Sequence, residues 1–186
     1  MNSIKQIEVL LADRLVGRLA LTKEGLCAFE YAPDWLGSGF SISPFELPLR
    51  SGVFIAKPRP FEGGFGVFDD CLPDGWGLLI LDRYLQQKGV NPRELSLLDR
   101  LALVGSSGRG ALEFRPDHSV VTRQDYADFE KLALDAERIL DSDEYKGGGI
   151  EEFQDRGGSP GGARPKIFAR YEGKEWLVKF RAKRDP

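Results

Sequence analysis

The sequence predicts an α+β protein in which a small, curled antiparallel sheet precedes several helices and a final pair of strands. Short apolar runs separated by turn residues occupy the first 55 residues, which is typical of strands. Apolar residues then recur at helical spacing between residues 73 and 140. After residue 156, a glycine-rich run is followed by two partly alternating apolar segments, which indicate a loop and two further strands.

The opening sheet is predicted from a series of short apolar segments, at residues 4–11, 15–22, 26–31, 40–42 and 52–55. Residues 12–14 supply the turn of the first hairpin, and Gly25 supplies the next turn. Four prolines between residues 44 and 60 keep the later strands short, because proline cannot donate a ladder hydrogen bond. Residues 35–39 are expected to form a loop.

Two helices are predicted from their start and stop signals. The first begins in the segment at residues 72–76 (LPDGW), which has no recognisable catalytic pattern, and Gly89 ends it in a left-handed cap. Asn91 is expected to be the N-cap of the second helix, with Glu94 completing a capping box. Gly105 ends that helix, and the following GSSGRG segment is interpreted as a turn.

A third helix is expected to begin at Thr122, and the polar, glycine-rich residues 141–149 are the best candidate linker. The sequence is therefore expected to have three parts: an N-terminal subdomain at residues 1–118, a helix and linker at 119–148, and a last segment at 149–186.

Composition excludes several classes of protein. No apolar run is long enough to cross a membrane, and the N-terminus lacks the features of a signal peptide, so a cytoplasmic location is expected. Cys27 and Cys71 form no metal-binding motif. Nine basic and three acidic residues between 156 and 186 give this end a net charge of +6, which leaves −9 for the rest of a chain whose total is −3. Such a basic segment can either bind phosphate or form a charged surface exposed to solvent.

The glycine-rich run at residues 157–162 and Lys179 are the candidates for chemistry. Glycines let backbone N–H groups approach phosphate closely, and a lysine on a following strand can supply the opposite charge. Lys179 lies within an apolar strand, where its charge needs a partner such as phosphate unless it points to water. Both interpretations stay open from this pattern. A Walker A loop is excluded, because no Gly-Lys-Ser or Gly-Lys-Thr occurs.

Three stretches of the sequence, in their order along the chain, resemble the HipA-family toxins of bacterial type II toxin–antitoxin systems. They are residues 68–77 (FDDCLPDGWG), residues 101–105 together with 108–116, and residues 157–166 (GGSPGGARPK). The resemblance extends over essentially the whole chain. It implies a serine/threonine kinase fold, in which an N-terminal subdomain of strands and helices precedes the first strands of a kinase-like N-lobe.

The resemblance also implies a binding site, a cofactor and partners. ATP, with Mg²⁺ in the complete enzyme, is expected at Gly157, Gly158, Ser159, Gly161, Gly162, Ala163 and Lys179. Ser159 corresponds to the serine that the family autophosphorylates, and Lys179 to the lysine that contacts the phosphates. The implied partners are a HipB-like helix-turn-helix antitoxin, through which DNA is contacted indirectly, and an aminoacyl-tRNA synthetase as a protein substrate.

This sequence departs from the family in one respect: it contains neither the catalytic-loop Asp near a His-x-Lys-Asn pattern nor the later magnesium-binding Asp. No catalytic or metal-binding residue is therefore predicted, and we expect the N-terminal portion of a kinase, inactive by itself and without tightly bound ATP. The alternative is a stand-alone, antitoxin-like module that regulates a separate HipA-like kinase chain. The glycine-rich run and Lys179 favour the first interpretation, since such a module has little need of them.

Overall fold

The computed structural model describes residues 4–119, 128–142, 145, 147–155 and 162–181. The chain divides into two compact units: the first comprises Met1–Leu72 and Leu95–Ser119, and the second comprises Pro73–Glu94 and Val120–Pro186. The predicted α+β class is confirmed. The sequence-based division of the chain after residues 118 and 148 is a statement about parts that fold independently. It stays a prediction.

The first unit contains a five-stranded antiparallel sheet. Its strands are β1 (Gln6–Leu11), β2 (Arg14–Leu21), β3 (Cys27–Tyr31), β4 (Val53–Ile55) and β5 (Leu112–Arg115), in the spatial order β4-β3-β2-β1-β5. Ala12 and Asp13 form the β1–β2 turn with φ values of 48° and 60°, the left-handed conformation that a tight hairpin needs. The first three predicted strands and β4 are confirmed. Residues 40–42 form no strand, and only an isolated bridge between Ser43 and Leu47 follows them.

Helices flank the sheet and build the second unit. In the described residues they are α1 (Pro33–Ser38), α2 (Gly66–Asp69), α3 (Gly75–Gln87), α4 (Leu97–Val104), α5 (Phe129–Asp141) and α6 (Gly149–Asp155), with a single 3-10 turn at Pro92–Glu94. The predicted start of a helix at Thr122 lies outside the described residues.

The core of the first unit is an aromatic cluster covered by α4. Phe68 is fully buried, and its ring centroid lies 5.4 Å from that of Phe29 and 6.5 Å from that of Phe114. Leu98 and Leu101 of α4 are also fully buried in this cluster. Because these residues come from distant parts of the sequence, their burial holds the sheet and its helices together as one unit.

The prediction of a loop at residues 35–39 is wrong, because α1 includes most of these residues. Pro33 stands in the first helical turn, where its missing N–H is not needed. Trp35 is 2% exposed, and its Nε1–H donates a 2.9 Å hydrogen bond to the carbonyl oxygen of Phe40. Burial of this indole therefore stabilises a short helix in a segment whose glycines suggest a loop.

The predicted N-cap of the second helix is also wrong, since the N-cap of α4 lies five residues later than expected. Ser96 is the N-cap: its Oγ accepts the N–H of Asp99 at 3.2 Å, and its own N–H donates to the carboxylate of Asp99 at 3.0 Å. Asn91 instead caps the 3-10 turn by accepting the N–H of Arg93. Both positions carry the signature of a capping box, and only packing distinguishes them. The predicted end at Gly105 is confirmed.

The second unit packs α3, α5 and α6 around a two-stranded antiparallel sheet of β6 (Lys166–Tyr171) and β7 (Lys174–Lys179). The Trp76 ring packs edge-on against Phe153, with centroids 5.1 Å apart, and Phe153 packs against Phe180 at 5.8 Å. This core fixes the first turn of α3 beside the strand hairpin. It also accounts for α6, which begins at Gly149, the last residue of the segment expected to be a linker.

Candidate functional site

The site is built at the open end of the β6–β7 hairpin. Lys166, the first residue of β6, is paired with Lys179, the last residue of β7. The N–H of Phe180 donates a 2.9 Å hydrogen bond to the carbonyl oxygen of Pro165, which continues the pairing by one step. Directly opposite residues of an antiparallel pair project to the same face. The hairpin therefore places two lysines side by side.

Gly162, the last residue of the glycine-rich run, is held next to this lysine pair. Its φ is +83°, a conformation that favours glycine. Its N–H donates to Oδ1 of Asp74 at 3.0 Å, and its carbonyl oxygen accepts both the N–H of Trp76 at 3.1 Å and Nζ of Lys166 at 3.2 Å. The backbone N–H and C=O groups of Gly162 are thus both fixed by residues of the same compact unit.

The backbone of Gly75 closely approaches the backbone of Gly162. Gly75 has a φ of +44°, and a methyl group added there would lie 2.6 Å from the carbonyl carbon of Gly162. Contacts of that length between carbon atoms do not occur without a shift of the backbone. Glycine at position 75 is therefore required both by conformation and by the space that Gly162 occupies.

Positive charge predominates at the site. Burial lowers the pKa of Lys166, which is only 7% exposed, and the charges of Lys179 and Arg164 lower it further. The carboxylate of Asp74 acts in the opposite direction and raises it. Among the charges described around Lys166, three cations including its own accompany one carboxylate, which favours positive charge beside Gly162. An oxyanion such as phosphate is the ligand that best compensates this charge.

The predicted binding residues divide into two groups. Gly162, Ala163 and Lys179 are described, and Lys166 joins Gly162 to Lys179 because it bonds to the first and pairs with the second. Ala163 is exposed next to Gly162. The other predicted residues lie outside the described part of the chain: Gly157, Gly158, Ser159 and Gly161.

Sequence reasoning missed Asp74 and Lys166 as parts of the site. Lys166 stands in the GGARPK motif, so its position next to the glycines was a usable signal. Asp74 lies 88 residues before Gly162, and its segment was interpreted only as the start of a helix. No local pattern relates two positions so far apart, because their contact depends on the packing of Trp76 into the core of the second unit.

The described residues fit a phosphate better than they fit a metal ion. They contain no cluster of three or more His, Cys, Asp or Glu side chains that could hold a cation. Asp74 is the only carboxylate among the charges that act on Lys166, and its Oδ1 already accepts the N–H of Gly162. Magnesium sites normally combine one or two carboxylates with substrate phosphates. A Mg²⁺ site is not formed by these residues.

The second glycine-rich segment, GSSGRG, is a turn of the first unit. Asp117 accepts the N–H of Ser106 at 3.0 Å and that of Ser119 at 2.8 Å. Burial raises the pKa of Asp117, but the hydrogen bonds from these two serines outweigh it and hold the pKa below its ordinary value. Asp117 thus fixes this segment by accepting its N–H groups, which agrees with the interpretation of the segment as a turn.

Both cysteines lie in the first unit as free thiols. Cys27 is buried and Cys71 is partly buried, and burial raises the pKa of each to about 11. They therefore remain protonated near neutral pH and are weak nucleophiles. None of the described helices combines the length and apolar character needed to cross a bilayer.

Comparison with known proteins gives a structural and a sequence match. The structural match is HipA of Shewanella oneidensis MR-1, solved with HipB and its operator DNA, at 23% identity and a TM-score of 0.52. The alignment covers 92% of this chain and 37% of that one, so this chain spans little more than a third of that HipA. At this identity the likeness shows a shared fold. Residues 7–115, more than half of the chain, match the model of the HipA N-terminal domain. The chain belongs to the HipA N-terminal domain family.

Proposed function

We propose that this chain is the N-terminal part of a HipA-like toxin, a serine/threonine protein kinase of a toxin–antitoxin system. In this proposal the glycine-rich run and Lys179 bind the phosphates of ATP. The observation that carries it is the position of the Gly162 peptide beside the paired Lys166 and Lys179. Family membership supports the proposed role in a toxin–antitoxin system. The family match ends at residue 115, so the proposal of nucleotide binding depends on the site at Gly162, Lys166 and Lys179.

The arrangement suits phosphate for two physical reasons. Lys179 is exposed at the end of β7, so its ammonium group is accessible to a bound anion. Lys166 and Arg164 add positive charge nearby. A kinase positions ATP mainly by backbone N–H groups of a glycine-rich loop and by a strand lysine, and it accelerates transfer by electrostatic stabilisation. ATP would thus be held by Gly157, Gly158, Ser159, Gly161, Gly162, Ala163 and Lys179.

Phosphoryl transfer itself is proposed to require more than these 186 residues. They contain one histidine, His118, and no His-x-Lys-Asn pattern. Transfer needs a residue that orients the nucleophile and a metal that bridges the phosphates. We therefore assign nucleotide binding to this chain and catalysis to residues outside it, with Ser159 as the proposed site of autophosphorylation in the complete enzyme.

The experiment is a titration of the chain with Mg-ATP, followed by the NMR shifts of the Gly162, Ala163 and Lys179 amides. We expect shifts with ATP, none with adenosine, and a strong reduction in Lys179→Ala. Lys174→Ala is the matched control, because Lys174 is an exposed lysine at the opposite end of β7. Equal shifts with adenosine, or none with 20 mM ATP, would refute phosphate recognition at this site.

The proposed partner is a HipB-like helix-turn-helix antitoxin, with DNA contacted through it. The solved HipA neighbour was crystallised with HipB and operator DNA, which supports this choice. The proposed protein substrate of the complete kinase is an aminoacyl-tRNA synthetase, as the resemblance implies. Co-purification of the chain with the HipB-like protein of its own organism tests the partner, and failure to co-elute at micromolar concentrations would count against it.

The alternative, an antitoxin-like module that regulates a separate kinase chain, has no observation in its favour. Such a module has no use for a lysine pair beside a fixed glycine peptide. The kinase interpretation explains both features and is therefore preferred.

A further inference from the structure

The LPDGW segment, interpreted from sequence only as the start of a helix, contacts the end of the glycine-rich run. Asp74 accepts the N–H of Gly162, and the N–H of Trp76 donates to the carbonyl oxygen of the same residue. Lys166 donates to that carbonyl oxygen from the strand side. The N–H and C=O groups of Gly162 are therefore bonded to groups on two different elements, α3 and β6.

This contact is tight and does not depend on a single side chain. The positive φ of Gly75 and the 2.6 Å that would separate an added methyl group from Gly162 show that two backbone segments lie in direct contact. The Trp76 side chain is 3% exposed in the core of the second unit, so the backbone N–H of Trp76 cannot move far. The first turn of α3 is thus a rigid support for Gly162.

The charges of Asp74, Lys179 and Arg164 act on Lys166 at this contact. The charge of Asp74 favours the protonated form of Lys166, whereas Lys179 and Arg164 disfavour it. With Lys166 engaged at the carbonyl oxygen of Gly162, the exposed Lys179 is left to face a ligand. Asp74 therefore holds the loop end and supports the charge of Lys166, while net positive charge remains for the anion.

We propose that Asp74 and Lys166 are positioning residues that hold the Gly162 peptide from opposite sides, in the orientation that phosphate binding by the glycine-rich run requires. This inference rests on the proposed function, because it assumes that the run binds ATP phosphates. It adds two residues that no local motif relates to that function. Neither residue has to touch the nucleotide for the inference to hold.

The experiment compares the complete chain with Asp74→Ala, Asp74→Asn, Lys166→Met and Lys166→Arg. Hydrogen exchange of the Gly162 amide measures the contact itself, and the ATP concentration that produces a fixed shift of the Lys179 amide compares affinities. Asp74→Asn keeps a carbonyl oxygen that accepts the Gly162 N–H. Glu151→Gln is the control, since it removes a carboxylate of the same unit that pairs with Lys88 and is half exposed.

We expect Asp74→Ala and Lys166→Met to need roughly tenfold more ATP for the same shift, the effect of losing one charge-assisted hydrogen bond. Asp74→Ala is also expected to accelerate exchange of the Gly162 amide. Asp74→Asn and Lys166→Arg should restore both quantities to within about threefold of the original chain. Rescue by these variants separates positioning from general stability, because the control variant should change neither quantity.

Two other outcomes separate the inference from the proposed function. If the original chain responds to ATP and Asp74→Ala responds equally, the positioning role is overturned and nucleotide binding stands. If the original chain shows no response at 20 mM ATP, nucleotide binding by this site is overturned and the positioning role falls with it. Unchanged exchange of the Gly162 amide in Asp74→Ala overturns the contact on its own.

Discussion

Lys166 and Lys179 are directly paired across β6 and β7, yet Lys166 is buried and Lys179 is exposed. The buried member hydrogen-bonds to Gly162, and its pKa is lowered by burial and by the charge of Lys179. The charge of Lys179 therefore makes the charge of Lys166 more costly. An anion bound beside them would offset this repulsion, which links the stability of this hairpin to the proposed ligand.

Removal of the Lys179 charge is predicted to raise the pKa of Lys166. In Lys179→Met, burial still lowers that pKa, but the repulsion is gone, so the titration should move towards the ordinary value of 10.5. Because the folded-state pKa lies below the unfolded one, the free energy of unfolding should rise with pH between the two values, and less steeply in the variant. NMR of lysine side chains measures the pKa, with Lys174→Met as control. An unchanged Lys166 titration would contradict the prediction.

The close approach of Gly75 to Gly162 predicts a large difference between two glycine variants of the second unit. Gly89 also has a positive φ, of 75°, but an added methyl group meets nothing within 4 Å. Gly89→Ala should cost about 1–2 kcal/mol from backbone conformation alone. Gly75→Ala adds a clash with the Gly162 backbone to the same conformational penalty, so it should lose at least about 1 kcal/mol more. Urea unfolding of the two variants tests this, and equal losses would argue against the contact.

The sequence predicted the elements whose signals are local. Ala12 and Asp13 lie at a hairpin turn between two apolar runs, and Gly89 and Gly105 end helices where glycine is expected. Alternation and helical period therefore located most strands and helices, because one face of each is buried. The pair of strands that carries Lys179 was also predicted from this pattern.

Failures occurred where tertiary packing overrides local signals. The α1 helix exists because Trp35 is buried, although its neighbours Gly37 and Gly39 favour a loop. The role of Asp74 was missed for the same reason, since its partner is distant in sequence. Each of these contacts is decided by packing between elements, which periodicity does not encode.

The carboxylate of Asp99 predicts how the first unit responds to acid. Burial raises its pKa, but hydrogen bonds from Ser96 and from the N–H of Ile4 outweigh burial, so the pKa lies below its ordinary value of 3.8. A group of this kind stabilises the fold above its unfolded pKa and loses that contribution as pH falls through the folded value. Asp99→Asn should therefore lower the free energy of unfolding near neutral pH, by about 1–3 kcal/mol, and much less at pH 2. An equal loss at both pH values would contradict this assignment.

The aromatic cluster of the first unit predicts a severe core variant and a harmless surface one. Phe68 is fully buried between Phe29 and Phe114, so Phe68→Ala should cost about 3–5 kcal/mol by leaving a cavity. Phe45 is 100% exposed, and Phe45→Ala should change the free energy of unfolding by less than about 0.5 kcal/mol. Thermal or urea unfolding followed by tryptophan fluorescence measures both. Similar losses in the two variants would contradict the assignment of the core.

The last prediction concerns the strength of ATP binding by this chain, which should be weaker than about 1 mM, or about −4 kcal/mol. Lys179 is exposed, and an exposed charge pair contributes only about 0–1 kcal/mol. Arg164 and Lys166 add attraction, but Lys166 is already bonded to Gly162. Association costs at least about 4 kcal/mol, so a few such contacts leave little net affinity. Calorimetry measures this directly, and micromolar binding would show that the site is complete within these residues. With labelled ATP, the chain alone should transfer no phosphate.

In a longer protein that supplies a catalytic loop, the variant Lys179→Ala should abolish phosphate transfer. The first unit should keep its unfolding midpoint in this variant, because Lys179 lies outside that unit.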